Sequence, residues 1–360
     1  MRAKPFPFVI LSVLAVLSVI GAQVSAAPPR PIGDSRVFAA VPAVPGFPEG
    51  VAIRGKRVYV TGPANFGIFT PSVVWAYNRK NGHLERTFPV TLQDPDPAVM
   101  KGLSPGNFGP DGRLYAAEPF MGVVIAFDLD KDNTQEVYAG PFPAPGGPGS
   151  SLLNELVFDA AGNLYVTDSF QATIYRVPPG GGAPEVWFAD PRLAGDPDVP
   201  FGVNGIRIDK KAKKVYVSVT AENGTMDGVI YRLPLVDHPT AADLHEVHRY
   251  AFPDPAPGAL PGPDGIALSQ SGRIYVALAG TSQISVLRPN GHEVVRFSGP
   301  AANPGGSPNP MPFANPANIA FDDKERRILV TNHASLVTPP DPSLFAILDI
   351  FVDEQGRPVP

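Results

Sequence analysis

Asn154-Glu155-Leu156-Val157-Phe158, then Asp159-Ala160-Ala161-Gly162, then Asn163-Leu164-Tyr165-Val166-Thr167 is the stretch whose reading decides the fold. Its two apolar runs are rich in strand-forming residues. The Gly between them supplies the positive φ that a tight hairpin needs. The unit recurs. Upstream it is Glu49-Gly50-Val51-Ala52-Ile53 with Val58-Tyr59-Val60-Thr61, and Gly106-Asn107-Phe108 with Arg113-Leu114-Tyr115-Ala116. Downstream it is Asn204-Gly205-Ile206-Arg207-Ile208 with Val215-Tyr216-Val217, and Asp264-Gly265-Ile266-Ala267-Leu268 with Arg273-Ile274-Tyr275-Val276. The last copy is Asn318-Ile319-Ala320-Phe321 with Arg327-Ile328-Leu329-Val330.

Aligned on Glu49, Ser104, Asn154, Asn204, Asp264 and Asn318, the copies step by 55, 50, 50, 60 and 54 residues. Several short strands per unit at a period of about 40–50 residues is how a propeller reads. Further strands such as Gly122 to Leu129, Ala172 to Val177, Gly228 to Leu233 and Gln283 to Leu287 leave room for four strands per blade. The expectation is an all-β chain, a six-bladed β-propeller with four-stranded blades, forming one domain over residues 27–360. Closing the ring needs an early strand beside the last blade, and Arg36 to Val41 can pair with Phe345 to Val352. An unclosed ring would leave exposed edges.

Residues 1–26 read as a secretory signal. Arg2 and Lys4 give a positive start, Phe8 to Ala22 is apolar, and Val24-Ser25-Ala26 is a small-x-small cleavage pattern. The rival is a retained anchor, but the apolar stretch is short for a span of ~20 residues. The expectation is a secreted or periplasmic protein with no stable membrane insertion after cleavage. The chain has no Cys, so it has neither disulfides nor thiolate metal sites. A net charge of −5 without any run of Lys or Arg argues against nucleic acid as a partner.

The six alignment positions all carry a side-chain oxygen, and the starts of the first strands lie at one end of a propeller's channel, so they converge. Glu49 and Asp264 would repel there unless a cation lay between them. With amide oxygens from Asn154 and Asn204 they make a hard-oxygen site suited to Ca²⁺, with Mg²⁺ or Mn²⁺ as alternatives. Zinc is disfavoured without Cys or a His at that register. A single Asn or Asp before a strand commonly caps a turn with no ligand, a reading that weakens when the type repeats in register.

These motifs resemble the senescence marker protein/gluconolactonase family, the regucalcin-like propellers, and more distantly paraoxonase. The likeness rests on Pro48-Glu49-Gly50, on Asn154 leading to Asp159-Ala160-Ala161-Gly162-Asn163, on Asn204-Gly205 and on Pro263-Asp264-Gly265. It implies Glu49, Asn204 and Asp264 as metal ligands, Asn154 as a metal or substrate contact, and hydrolysis of lactones or related esters with a divalent ion. Two departures stand out: Gly50-Val51-Ala52 lacks the aromatic usual in the gluconolactonase branch, and Ser104 stands where paraoxonase has a histidine.

The expected chemistry is metal-assisted hydrolysis of a small lactone or ester, with Asp264 as general base or as ligand only. Ser104, Asn154 and Asn318, with Glu118, Asp168 and His333 ending second strands, are candidate substrate contacts. The alternative is a non-catalytic binding module whose metal ties the blades together; a third is another enzyme class on the same site, as in strictosidine-synthase-like relatives. His245 and His248 read as surface residues of a loop between repeats. No Gly-x-Ser-x-Gly elbow occurs.

Overall fold

The computed structural model describes Met1 and residues 30–143, 151–254, 259–298 and 311–358. The signal-segment reading falls on residues outside these. All six blades lie within the unit Pro31–Pro360.

Six antiparallel four-stranded sheets are present, five of them running in sequence order from the channel outward. They are β2–β5 (Gly50–Arg54, Arg57–Gly62, Val73–Asn78, Leu84–Pro89) and β6–β9 (Asn107–Phe108, Leu114–Glu118, Val123–Asp128, Thr134–Ala139). Next come β10–β13 (Leu153–Phe158, Leu164–Asp168, Thr173–Val177, Glu185–Ala189) and β14–β17 (Val203–Asp209, Lys214–Val219, Gly228–Pro234, His245–Tyr250). The fifth blade is β18–β21 (Pro263–Leu268, Ile274–Leu278, Gln283–Leu287, Glu293–Phe297). The sixth joins β22–β24 (Pro316–Asp322, Arg327–Asn332, Ala346–Phe351) to the first strand of the chain, β1 (Ser35–Ala40). Arg36 pairs with Asp349 and Val37 with Leu348, so the closure expected from sequence is realised.

The hydrophobic core is six cores, one at each blade junction. Each second strand sends its central ring, Tyr59, Tyr115, Tyr165, Tyr216 or Tyr275, into the cluster shared with the following blade; Leu329 does so at the closing junction. Hairpin glycines Gly112, Gly162 and Gly272 have φ between 82° and 87°, as the turns require. One expectation is corrected: His245 and His248 belong to the outer strand β17, because His248 and Tyr250 alternate onto a ladder with Ile230 and Gly228.

Candidate functional site: a ring of inward-facing oxygens

What aims the site residues is a repeated irregularity. In four blades the pairing of first and second strands slips by one residue, between Leu153 and Leu156, Val203 and Ile206, Pro263 and Ile266, and Pro316 and Ile319. Each slip is a β-bulge, which lets two consecutive side chains break strict alternation. The register then reads Glu49, Ser104, Asn154, Asn204, Asp264 and Ala317 around the upper ring. Beneath it lie Gly50, Pro105, Glu155, Gly205, Gly265 and Asn318. Asn318 is therefore one step deeper than the alignment on residue type put it; Ala317 holds the ring position. The glycines of the lower layer are sterically required. A Cβ on Gly205 would sit 2.5 Å from the Asp264 carbonyl oxygen, and one on Gly265 2.6 Å from that of Ala317.

Glu49, Ser104, Asn154, Asn204, Asp264 and His333 line one cavity of about 330 Å³. Asn318, Glu118 and Asp168 are not among its lining residues. Asn318 Nδ2 donates to Glu155 Oε1 at 2.7 Å, joining opposite blades across the channel. The Glu118 carboxylate accepts from the backbone of Gly102 and Met121, and Asp168 from Leu152, Phe170 and Gln171. Both buckle turns, as Asn332 does at the equivalent place in blade six by accepting from Ala314.

The amide orientations are fixed by neighbours. Ser169 Oγ donates to Val203 O (2.8 Å), so its lone pair is left to accept Asn154 Nδ2 (3.2 Å). Thr220 Oγ1 donates to Pro263 O (2.9 Å) and accepts Asn204 Nδ2 (3.0 Å) in the same way. Both Oδ1 atoms must then face inward. Asn154 Oδ1, Asn204 Oδ1, Glu49 Oε2 and His333 Nε2 are buried and make no hydrogen bond. Such orphans are uncommon in folded proteins, and all four here present lone pairs.

A second set of hydroxyls, one turn of the pattern earlier, holds the ring together between blades. Thr61 Oγ1 donates to Ser104 O (2.8 Å), Thr167 to Asn204 O (2.5 Å), Ser218 to Asp264 O (2.6 Å) and Thr331 to Glu49 O (2.7 Å). Sequence reading missed these residues, although the recurrence of Thr or Ser after the central aromatic or aliphatic triplet carried the signal.

Glu155 was also missed. Its carboxylate meets Arg207 Nη1 at 2.5 Å and accepts from Ile206 N at 2.9 Å beneath the ring. Burial, then the charges of Asp264 and Glu155, raise the proton affinity of Glu49 well above the usual carboxylate range. Burial and then Glu155 do the same to Asp264, opposed by hydrogen bonds from Asn204 and the Gly265 backbone. Burial pushes His333 down to about 4, against a hydrogen bond to the Ala64 backbone. His333 Nδ1 lies 3.2 Å from Glu49 Oε2, yet that oxygen makes no hydrogen bond.

The donor set fits a hard cation: oxygen-dominated, with two carboxylates and with inward amide and carboxylate lone pairs that meet no donor. Among the described residues no group of three or more His, Asp or Glu side chains is spaced to hold a metal, so a cation here would depend on the amide oxygens.

The family model for the SMP-30/gluconolactonase/LRE-like region matches residues 99–306. No curated protein matches the chain. Among solved structures, a calcium-binding regucalcin from Agrobacterium tumefaciens is similar at a TM-score of 0.59 and 16% identity, covering 90% of this chain and 98% of that one. An auxiliary nutrient binding protein from Bacteroides thetaiotaomicron gives 0.58 at 10% identity, with 88% and 75% covered. A gluconolactonase from Xanthomonas campestris gives 0.50 at 16% identity, with 91% and 99% covered. At such identities these likenesses speak for the fold. The family model, spanning more than half of the sequence, speaks for descent: the chain belongs to the SMP-30/gluconolactonase/LRE-like family.

Proposed function

We propose that this protein hydrolyses a small lactone or ester, with one divalent cation, calcium, held by Glu49, Asn154, Asn204 and Asp264. The observation that carries the reading is the cluster of inward lone pairs, with Asn154 Nδ2 donating to Ser169 and Asn204 Nδ2 to Thr220. Charge balance supports it. Of three carboxylates in the channel, Glu155 is neutralised by Arg207, leaving Glu49 and Asp264, whose two charges the pocket disfavours without a counter-ion, to match one divalent ion. Family membership and the likeness to a calcium-binding regucalcin agree with this chemistry.

Bound there, calcium supplies a Lewis acid that polarises the substrate carbonyl and favours developing negative charge on its oxygen. The chain's own residues do the rest. Asp264, through a carboxylate oxygen not engaged by the ion, takes the proton from the attacking water. His333 stays neutral near pH 7 and uses its Nε2 lone pair to orient that water beside Glu49. Ser104 hydroxyl, which accepts from Ala117 N at 3.0 Å, keeps its proton free for substrate oxygen. The protein is read as acting in the secreted or periplasmic space.

Metal analysis of purified protein, with lactone turnover assayed in calcium and in EDTA, tests the reading. Stoichiometric calcium and turnover lost both in EDTA and in Asp264→Ala support it. Metal-replete protein inert toward every lactone and ester would leave a binding module instead; protein that takes up no divalent ion removes the site.

A further inference from the structure

Above the polar floor, the wall of the same cavity changes character. Phe66 follows β3, Phe120 follows β7 and Phe201 precedes β14, and all three line the cavity from different blades. Phe170, after β11, backs them: its ring stacks on Phe66 at 6.5 Å and meets Phe201 edge-on at 5.6 Å. Phe66 also meets Phe120 at 6.1 Å and Phe201 at 6.3 Å. Four rings from four consecutive blades thus form one cluster around Phe66, yet Phe66 remains 44% exposed. An aromatic cluster held open to solvent at the mouth of a cavity marks a surface kept for an apolar occupant.

Two polar groups along the wall are already engaged. Thr220 Oγ1 is used by Pro263 O and Asn204, and Asn65 Oδ1 by Phe66 N. A polyhydroxylated lactone needs a hydrogen-bond partner for each hydroxyl it buries. The wall offers it rings instead.

We propose that the leaving or acyl portion of the substrate is apolar: this site takes a lactone or ester bearing an alkyl or aryl group, seated against Phe66, Phe120 and Phe201, in preference to a sugar lactone. The proposal rests on the hydrolytic reading for its kinetic arm only. The cavity volume of about 330 Å³ admits a lactone with a medium-length chain. γ-Decalactone and glucono-1,4-lactone share a five-membered ring and the same number of non-hydrogen atoms, so comparing them separates polarity from size.

The test measures kcat/KM along γ-butyrolactone, γ-hexalactone, γ-octalactone and γ-decalactone, with glucono-1,4-lactone as the matched polar substrate. Each buried methylene is expected to raise kcat/KM roughly fourfold until the cavity is full. Phe66→Ser, at a half-exposed position that the fold tolerates, lowers the ratio of γ-decalactone to γ-butyrolactone about tenfold. A flat series, or glucono-1,4-lactone matching γ-decalactone, overturns the proposal. If no lactone is turned over, the hydrolytic reading fails while the pocket is still judged by calorimetry with the corresponding lactams, which resist hydrolysis. Affinity that grows with chain length, with a negative heat-capacity change, supports an apolar site; equal or tighter binding of gluconolactam overturns it.

Discussion

Replacing Asp264 by Asn should make the metal-free protein more stable and the calcium-treated protein less so. Without a cation, Glu49 and Asp264 are two carboxylates in one desolvated pocket, and both have raised proton affinity. A carboxylate whose folded pKa is raised favours the fold while protonated. That contribution is full below the ordinary carboxylate range near pH 4 and is lost as pH rises through the raised folded values. Metal-free wild-type protein should therefore melt lower at pH 8 than at pH 5. The Asn variant, having one charge fewer, should melt above wild type at pH 8, with the gap closing toward pH 5. Calcium reverses the order. At a hundredfold over its Kd, a ligand adds about 2.7 kcal/mol to the folded state, roughly 5 °C in Tm for a domain of this size. A unit charge and a divalent cation ~4 Å apart interact by about 8 kcal/mol at an effective dielectric of about 20, about half of which the desolvation of the carboxylate offsets. Losing one carboxylate should cost about three orders of magnitude in calcium affinity, so the variant shows no shift at that concentration. Thermal melts of both proteins at pH 5 and pH 8, in EDTA and in calcium, decide the matter. An Asn variant that is destabilised in EDTA at pH 8, or that gains as much from calcium as wild type, refutes the argument.

Arg207→Met should cost about 3–5 kcal/mol in denaturant unfolding, because it leaves Glu155 as an unpaired buried charge; adding Glu155→Gln should restore most of the loss. Thr167→Val keeps the side-chain shape but strands the Asn204 carbonyl, and should cost about 1–3 kcal/mol while also weakening calcium binding. A protein truncated through Ala40 loses β1 and bares the edge of β24; size-exclusion chromatography should show it aggregated, with no cooperative melt.

Much of the architecture could be read before any coordinates, for a physical reason. Each blade writes its own hairpin locally, as apolar run, Gly-bearing turn and apolar run, so repetition exposes the count. The closing strand was legible because Arg36 to Val41 had no partner within its own repeat and β24 had a free edge. His245 and His248 hid because outer strands bury little, and β17 shows no clean apolar alternation.

The site was legible only to the depth of one layer. Period-two alternation says that if Asn154 faces the channel then Glu155 faces away; the bulge between Leu153 and Leu156 lets both turn inward. Nothing in the local apolar pattern announces that bulge. The same slip explains Asn318: matching by chemistry aligned it with Asn154, whereas matching by ladder aligns it with Glu155, to which it donates across the axis. Glu49, Asn204 and Asp264 were found because their following glycines are forced by close backbone approach, a constraint that leaves a mark on the sequence. Ser169, Thr220 and the hydroxyls at the blade junctions leave a fainter one. They act through bonds to the next blade's carbonyls, and those partners lie 34 to 46 residues away within the chain or, for Thr331, at its opposite end. Yet these hydroxyls decide which atom of each amide faces the cavity. Had Ser169 no carbonyl to donate to, it could donate to Asn154 instead, and the ring would present hydrogens where a cation requires lone pairs.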